Sequence, residues 1–311
     1  MANGAHHTER IDLAKLPSGD TLTTTVHRYE GATDGPTLYL QAGQHGDEVV
    51  GVDVLRRIHE SIELDELAGR LVVVPVANPD GFDRGASRRG SQVDMFNPNL
   101  NRLWPGDPEG SPYEQMAARL WEFAREADAI VDLHAMERYV VPYILSSEEA
   151  PAVELAEVFG TDLISHLSGD GLPDGMLAEH ARANGIPAIT PEVGHAEEID
   201  EASAAVGATG VRNVLRHLGM VPGEPVANGT PRRGAEHHVR ATESGLFRRN
   251  PEVDPGDEVA PGDELGLVYD PTALERVQTV EADEHGLLFH LKGRSMVQRG
   301  QELAIIGVES A

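Results

Sequence analysis

"YLQAGQHGDEVVGVDVLRRI", Tyr39 to Ile58, joins an apolar run to a glycine-punctuated turn and then to an amphipathic pattern. The apolar run reads as a buried strand. In "DEVVGVDVLRRIHESI", Val50, Val54, Ile58 and Ile62 recur every fourth residue behind acidic residues, which predicts a helix with its apolar stripe on a sheet. Strand, turn and helix in that order begin an α/β crossover. The turn carries His45 and Glu48, three residues apart, either as a metal-binding pair or as a polar helix-capping turn.

Working outward, "TLYLQAG", "RLVVVPVAN", "AIVDLHA" and "IPAITPEVG" read as buried strands. "SPYEQMAARLWEFAREA" reads as a helix with Ser111 as N-cap and Pro112 in its first turn. "SAAVGATGVRNVLRHLG" is another, ended by Gly219. Asn78 to Ser111 lacks either periodicity, and a connection of that length inside a compact domain is commonly functional. The expected catalytic domain spans residues 1–223, a mixed α/β sheet flanked by helices. From 224 to 311 the chain changes to short strands separated by Gly and Pro. Two half-motifs, from Gly245 and from Gly286, predict a duplicated C-terminal β-sandwich or barrel. His237 and His238 fall in what reads as its linker, and Trp104 and Trp121 read as packing residues.

The chain has 311 residues, no cysteine and a formal net charge of −27. Any metal must therefore be held by His, Asp, Glu or water. Acidic residues outnumber basic ones 52 to 25 and are spread along the chain, which reads as a solvated surface suited to high salt. A field of that sign disfavours nucleic acid and anionic membranes as partners. No apolar run reaches the roughly 18 residues of a membrane span, and "MANGAHHTER" lacks the features of a secretory signal, so a cytoplasmic protein is expected.

His45 and Glu48 follow one strand, His134 ends a second and Glu192 ends a third. The carboxyl edge of such a sheet is where ligands bind. Two His and one carboxylate leave a fourth tetrahedral position open, the composition of a catalytic zinc site. A further carboxylate that is not a ligand can take the proton of water, and Glu192 is the candidate.

"GQHGDE", "NPDGF", "LNRLWPG", "DLHA" and "PEVG", in that order between Thr37 and Gly194, resemble the succinylglutamate desuccinylase/aspartoacylase family, relatives of the zinc carboxypeptidases. The resemblance implies a zinc-carboxypeptidase-like fold with one Zn2+ held by His45, Glu48 and His134, and Glu192 as general base. It implies that Arg88 polarises the scissile carbonyl, with Arg89 and Arg84 as alternatives for that role. It also implies that Asn101 and Arg102 hold a substrate carboxylate. Asn99 stands where the family usually has an aspartate that orients the first histidine, so weaker tuning of the metal is expected.

The activity implied is a zinc-dependent deacylase cleaving the amide of a small N-acyl amino acid, with a homo-oligomer allowed. A carboxypeptidase acting on a peptide C-terminus uses the same groups. A biotinyl- or lipoyl-like carrier is disfavoured, because "VYDPTALERV" at the expected hairpin tip holds no lysine.

Overall fold

The structure is a computed structural model and describes residues 4–85, 99–136, 139–161, 163–166, 172–226, 232–293 and 296–309, the side chains of 233, 234 and 309 excepted. The N-terminal half runs β1 (Ala5–Lys15), β2 (Thr21–Glu30), β3 (Thr33–Gln41), α1 (Val50–Ser61), β4 (Ala68–Val74), α2 (Pro79–Asp83), a 3-10 turn (Leu100–Arg102) and α3 (Pro112–Ala124). It continues through β5 (Ala129–Asp132), β6 (His134–Met136), β7 (Tyr143–Ser146), α4 (Ala150–Phe159), β8 (Leu163–His166), α5 (Leu177–Ala183), β9 (Ala188–His195) and α6 (Glu201–His217). The last strands are β10 (Arg232–Arg240), β11 (Gly245–Arg249), β12 (Glu258–Val259), β13 (Glu264–Tyr269), β14 (Arg276–Glu281), β15 (Gly286–Leu291), β16 (Met296–Val297) and β17 (Glu302–Glu309).

The opening stretch folds as read. β3 pairs parallel with β4 and β5, and β5 pairs parallel with β9. Alternation along these strands splits their side chains between two cores. Leu38, Leu40, Leu71, Val73 and Val131 face one core with Val50 and Val54 of α1, Phe159 of α4 and Val211 of α6. Tyr39, Val72, Val74 and Ile130 face the other with Met116 and Leu120 of α3 and Leu177 of α5. The result is a mixed sheet with helices on both faces. Val50, Val54, Leu55 and Ile58 are buried along α1, and burial of each such side chain contributes about 1.5–3 kcal/mol. Ser111 and Glu114 form a reciprocal capping box at α3, with Pro112 behind the cap.

The N-terminal β1 and β2, not foreseen as strands, extend the sheet antiparallel beyond β4. At the other side β8 pairs parallel with β10, so one large sheet continues into the C-terminal strands as β10-β17-β15-β12. A four-stranded antiparallel sheet, β14-β13-β11-β16, packs against those strands around Phe247, Leu265, Leu288 and Ile306. His237 and His238 lie in the middle of β10, paired with Ile306 and Ile305, rather than in a linker. His237 Nε2 contacts Asp283 Oδ1 at 2.7 Å and His238 Nδ1 contacts Glu302 Oε2 at 2.6 Å.

Candidate metal centre

Six residues separate the end of β3 from Glu48, and the turn between them is held by packing as much as by hydrogen bonds. A Cβ on Gly46 would run into the backbone of Gly81 at the start of α2, so the segment between His45 and Glu48 can lie against α2 only without a side chain there. Asn78 caps α2 by accepting from Gly81 N at 2.9 Å and donates to the Gln44 carbonyl at 3.3 Å, fastening the two turns together. The residues preceding α1 are thereby delivered to the edge of β3.

There His45, Glu48 and His134 come together, each almost fully buried. Nδ1 of His45 lies 2.7 Å from Glu48 Oε1 and Nδ1 of His134 lies 2.9 Å from Oε2. The outer nitrogens are taken up elsewhere. Nε2 of His45 is 3.1 Å from Asn99 Oδ1, and Nε2 of His134 is 2.9 Å from Asp132 Oδ2. An Nε2–H donating outward on each ring would leave both Nδ1 atoms, which face the carboxylate, as the ones to bind a metal. Glu48 Oε2 also accepts from Ala135 N at 3.1 Å.

Burial alone would raise the Glu48 carboxyl, yet His45 and His134 hold it well below the usual carboxylate range. Burial likewise works to lower His134, but Asp132 and Glu48 overcome it and hold the imidazole well above its ordinary value. Two buried rings and two buried carboxylates thus favour a cation among them. Three ligand atoms within 4.8 Å of one another, two imidazole nitrogens and one carboxylate oxygen, fit a divalent transition metal of the zinc type.

Behind the ligands lies a chain of polar side chains absent from the sequence reading. Asp132 Oδ1 accepts from Gln41 Nε2 at 3.1 Å and Oδ2 accepts from Gln44 Nε2 at 2.8 Å. Tyr39 donates to Gln41 Oε1 at 2.8 Å, and Trp104 Nε1 donates to Gln44 Oε1 at 2.6 Å. Trp104 is therefore a hydrogen-bond donor in the network as well as a packing residue. Burial and the Asp132 charge push the Tyr39 phenol well above its ordinary value, so it remains a neutral donor. The i, i+2 placement of Asp132 and His134 in "DLHA" was the available sequence signal.

Glu192 lies inside β9 and pairs in register with His134 of β6, placing this buried acid on the strand next to the centre. Asn101 is buried in the 3-10 turn, and its Oδ1 accepts from Leu177 N at 3.0 Å. Arg102 is exposed, with NH1 donating to the Asn101 carbonyl at 2.6 Å. Arg84 is half-exposed and paired with Asp80 at 2.9 Å. Arg88 and Arg89 lie outside the described residues.

A family model described as the succinylglutamate desuccinylase/aspartoacylase catalytic domain matches residues 34–218. An N-alpha-acetyl-L-2,4-diaminobutyric acid deacetylase from Halomonas elongata is 29% identical over 292 residues, covering 88% of this chain and 82% of its own. The product-bound structure of an ectoine utilization protein from Ruegeria pomeroyi superposes with a TM-score of 0.86 at 25% identity, covering 99% of this chain and 96% of that one. A succinylglutamate desuccinylase/aspartoacylase structure from Rhodobacter sphaeroides gives a TM-score of 0.85 at 22% identity, covering 100% and 97%. With the family model spanning more than half of its length, the chain belongs to the succinylglutamate desuccinylase/aspartoacylase family.

Proposed function

We propose that this protein is a zinc-dependent deacylase that hydrolyses the amide of a small N-acyl amino acid, an N-acetylated diamino acid foremost. The observation that carries the proposal is the convergence of the His45 and His134 Nδ1 atoms on the two oxygens of Glu48. The Halomonas relative, named for its action on N-alpha-acetyl-L-2,4-diaminobutyric acid, supports the choice of substrate.

His45, Glu48 and His134 would hold one Zn2+, which supplies Lewis acidity toward the amide carbonyl and lowers the pKa of water to about 7. Asp132 and Asn99 fix the two rings by accepting from their Nε2–H groups. Glu192 accepts the proton of the attacking water and returns it to the departing amine nitrogen. Asn101 and Arg102 receive the substrate carboxylate, an arginine fork being suited to its two oxygens. Arg88 or Arg89, or Arg84 released from Asp80, places positive charge beside the developing oxyanion. The C-terminal strands are proposed as a domain from residue 224. The β13–β14 turn within "VYDPTALERV" carries no lysine, so a carrier role has no attachment point.

The test is hydrolysis of a panel of N-acetyl diamino acids, N-acetyl and N-succinyl monoamino acids and short peptides by metal-stripped protein with and without added Zn2+. The expected result is zinc-restored release of acetate from the diamino acids. Preference for peptides would replace the deacylase reading by the carboxypeptidase one, and turnover independent of zinc would remove the metal.

A further inference from the structure

A second group of histidines lies at the far end of α1. Glu48 stands just before the first residue of that helix, whereas His59 is in its last turn, roughly 13 Å further along the axis at about 1.5 Å per residue. His59 there meets His6 of β1 and His27 of β2. The register of the two strands makes this meeting. His6 stands opposite Tyr29 and Thr8 opposite His27, so His6, His27 and Tyr29 share one face of the ladder. The Tyr29 hydroxyl lies 2.8 Å from His59 Nδ1, tying the helix end to that face.

One ring nitrogen from each of the three histidines lies within 4.8 Å of the others. His6 Nε2 and His27 Nδ1 are 3.1 Å apart, close to the roughly 3.3 Å that separates two nitrogens of a tetrahedral site with Zn–N bonds near 2.0–2.1 Å. His59 is the most exposed of the three. With one of its nitrogens on the Tyr29 hydroxyl, the other is oriented for a ligand role, the arrangement that fixes tautomer and ring plane in metal-binding histidines. A strongly acidic protein raises the local concentration of any cation at its surface.

We infer that His6, His27 and His59 form a second, non-catalytic site for a divalent transition metal, zinc, copper or nickel, that clamps the N-terminal strand β1 to the end of α1. A purely nitrogen donor set selects these ions over magnesium and calcium, which require oxygen. The clamp joins three segments that are distant in sequence, and its effect is on the stability of the β1 edge. It does not depend on the deacylase assignment.

The test titrates metal-stripped protein with Zn2+ and Co2+, following stoichiometry by calorimetry and the visible Co2+ spectrum. His45→Ala vacates the first centre and isolates the second. His45→Ala is expected to bind about one equivalent and to melt at a higher temperature with Zn2+ than without, as binding linkage requires. Adding His59→Gln should weaken that binding at least about tenfold and abolish the thermal shift. In the otherwise native chain His59→Gln should leave turnover unchanged, and His27→Gln should repeat its binding result. Absence of binding by folded His45→Ala, or binding that neither His59→Gln nor His27→Gln reduces, overturns the site.

Discussion

Glu48 accepts from one backbone N–H and faces two imidazoles, so its charge is stabilised before any metal arrives. Asp132 does the same work one step out, on the far nitrogen of His134. Asp132→Asn keeps an acceptor and removes the charge, and it should lower zinc affinity by about 10- to 100-fold, measured by competition with a chelator. Asn99→Asp restores an acid opposite His45 Nε2 and should tighten zinc in the same assay. If both variants hold zinc like the parent, the outer contacts do not tune the site. Glu192→Gln should retain the full complement of zinc and lose turnover by about 100-fold or more, since the amide cannot accept a proton. Metal loss in that variant would make Glu192 a ligand, and normal turnover would remove it from the reaction.

At the scale of elements, α6 approaches α1 and α4 closely because it presents glycine at both contacts. A Cβ on Gly207 would lie 2.6 Å from Val54 Cγ2, and one on Gly210 would strike the Phe159 ring. Gly210→Ala is expected to cost about 1–3 kcal/mol by overpacking despite its better helix propensity, read from urea denaturation. The C-terminal halves also follow a common plan. β11, β12 and β13 correspond in order to β15, β16 and β17, and the short strands are exchanged, β12 pairing with β15 and β16 with β11. Between β10 and β17, the Glu302 contact raises His238. Burial works to raise Glu302, but His238 outweighs it and lowers the carboxyl. Stabilisation through His238 is complete below its unfolded value of about 6.5 and is lost as pH rises through the raised folded value. Stabilisation through Glu302 is complete above about 4.3 and is lost as pH falls through the lowered one. Burial raises nearby Glu236, whose ionisation costs stability as pH climbs. The urea midpoint should therefore be highest between about pH 4.5 and 6.5. His238→Asn should flatten its decline on the alkaline side, and an unchanged profile in that variant would reject the pair as the cause.

For the whole molecule, a charge of −27 on one chain is a self-repulsion that added salt relieves. Raising NaCl from about 0.1 to 1 M shortens the screening length from about 10 to 3 Å. The melting temperature of metal-saturated protein should rise by several degrees over that range, and sucrose should not reproduce the dependence on ionic strength. A melting temperature that is flat or falls in NaCl would mean that the acids are already balanced locally. No helix among the described residues is long and apolar enough to cross a membrane.

The sequence by itself determined what local pattern can carry. Apolar alternation and fourfold spacing specify β3, α1, α3, β9 and α6, and His45 and Glu48 lie between the first two of these, while His134 opens β6 just after β5. The meeting of His45, Glu48 and His134, with Glu192 on the neighbouring strand, was legible for that reason, with motif order adding the family. Tertiary structure alone decided the rest. β1 is a polar edge strand that pairs with β2, and β2 pairs with β4, a placement that their own periodicity does not fix. Tyr39, Gln41, Gln44, Trp104 and Asp132 become one network only when three segments pack together. His6 and His27, 21 residues apart, meet across an antiparallel ladder, and a shift of one residue in that register would put them on opposite faces. Periodicity records which face of an element is buried, whereas register and packing decide which buried groups touch.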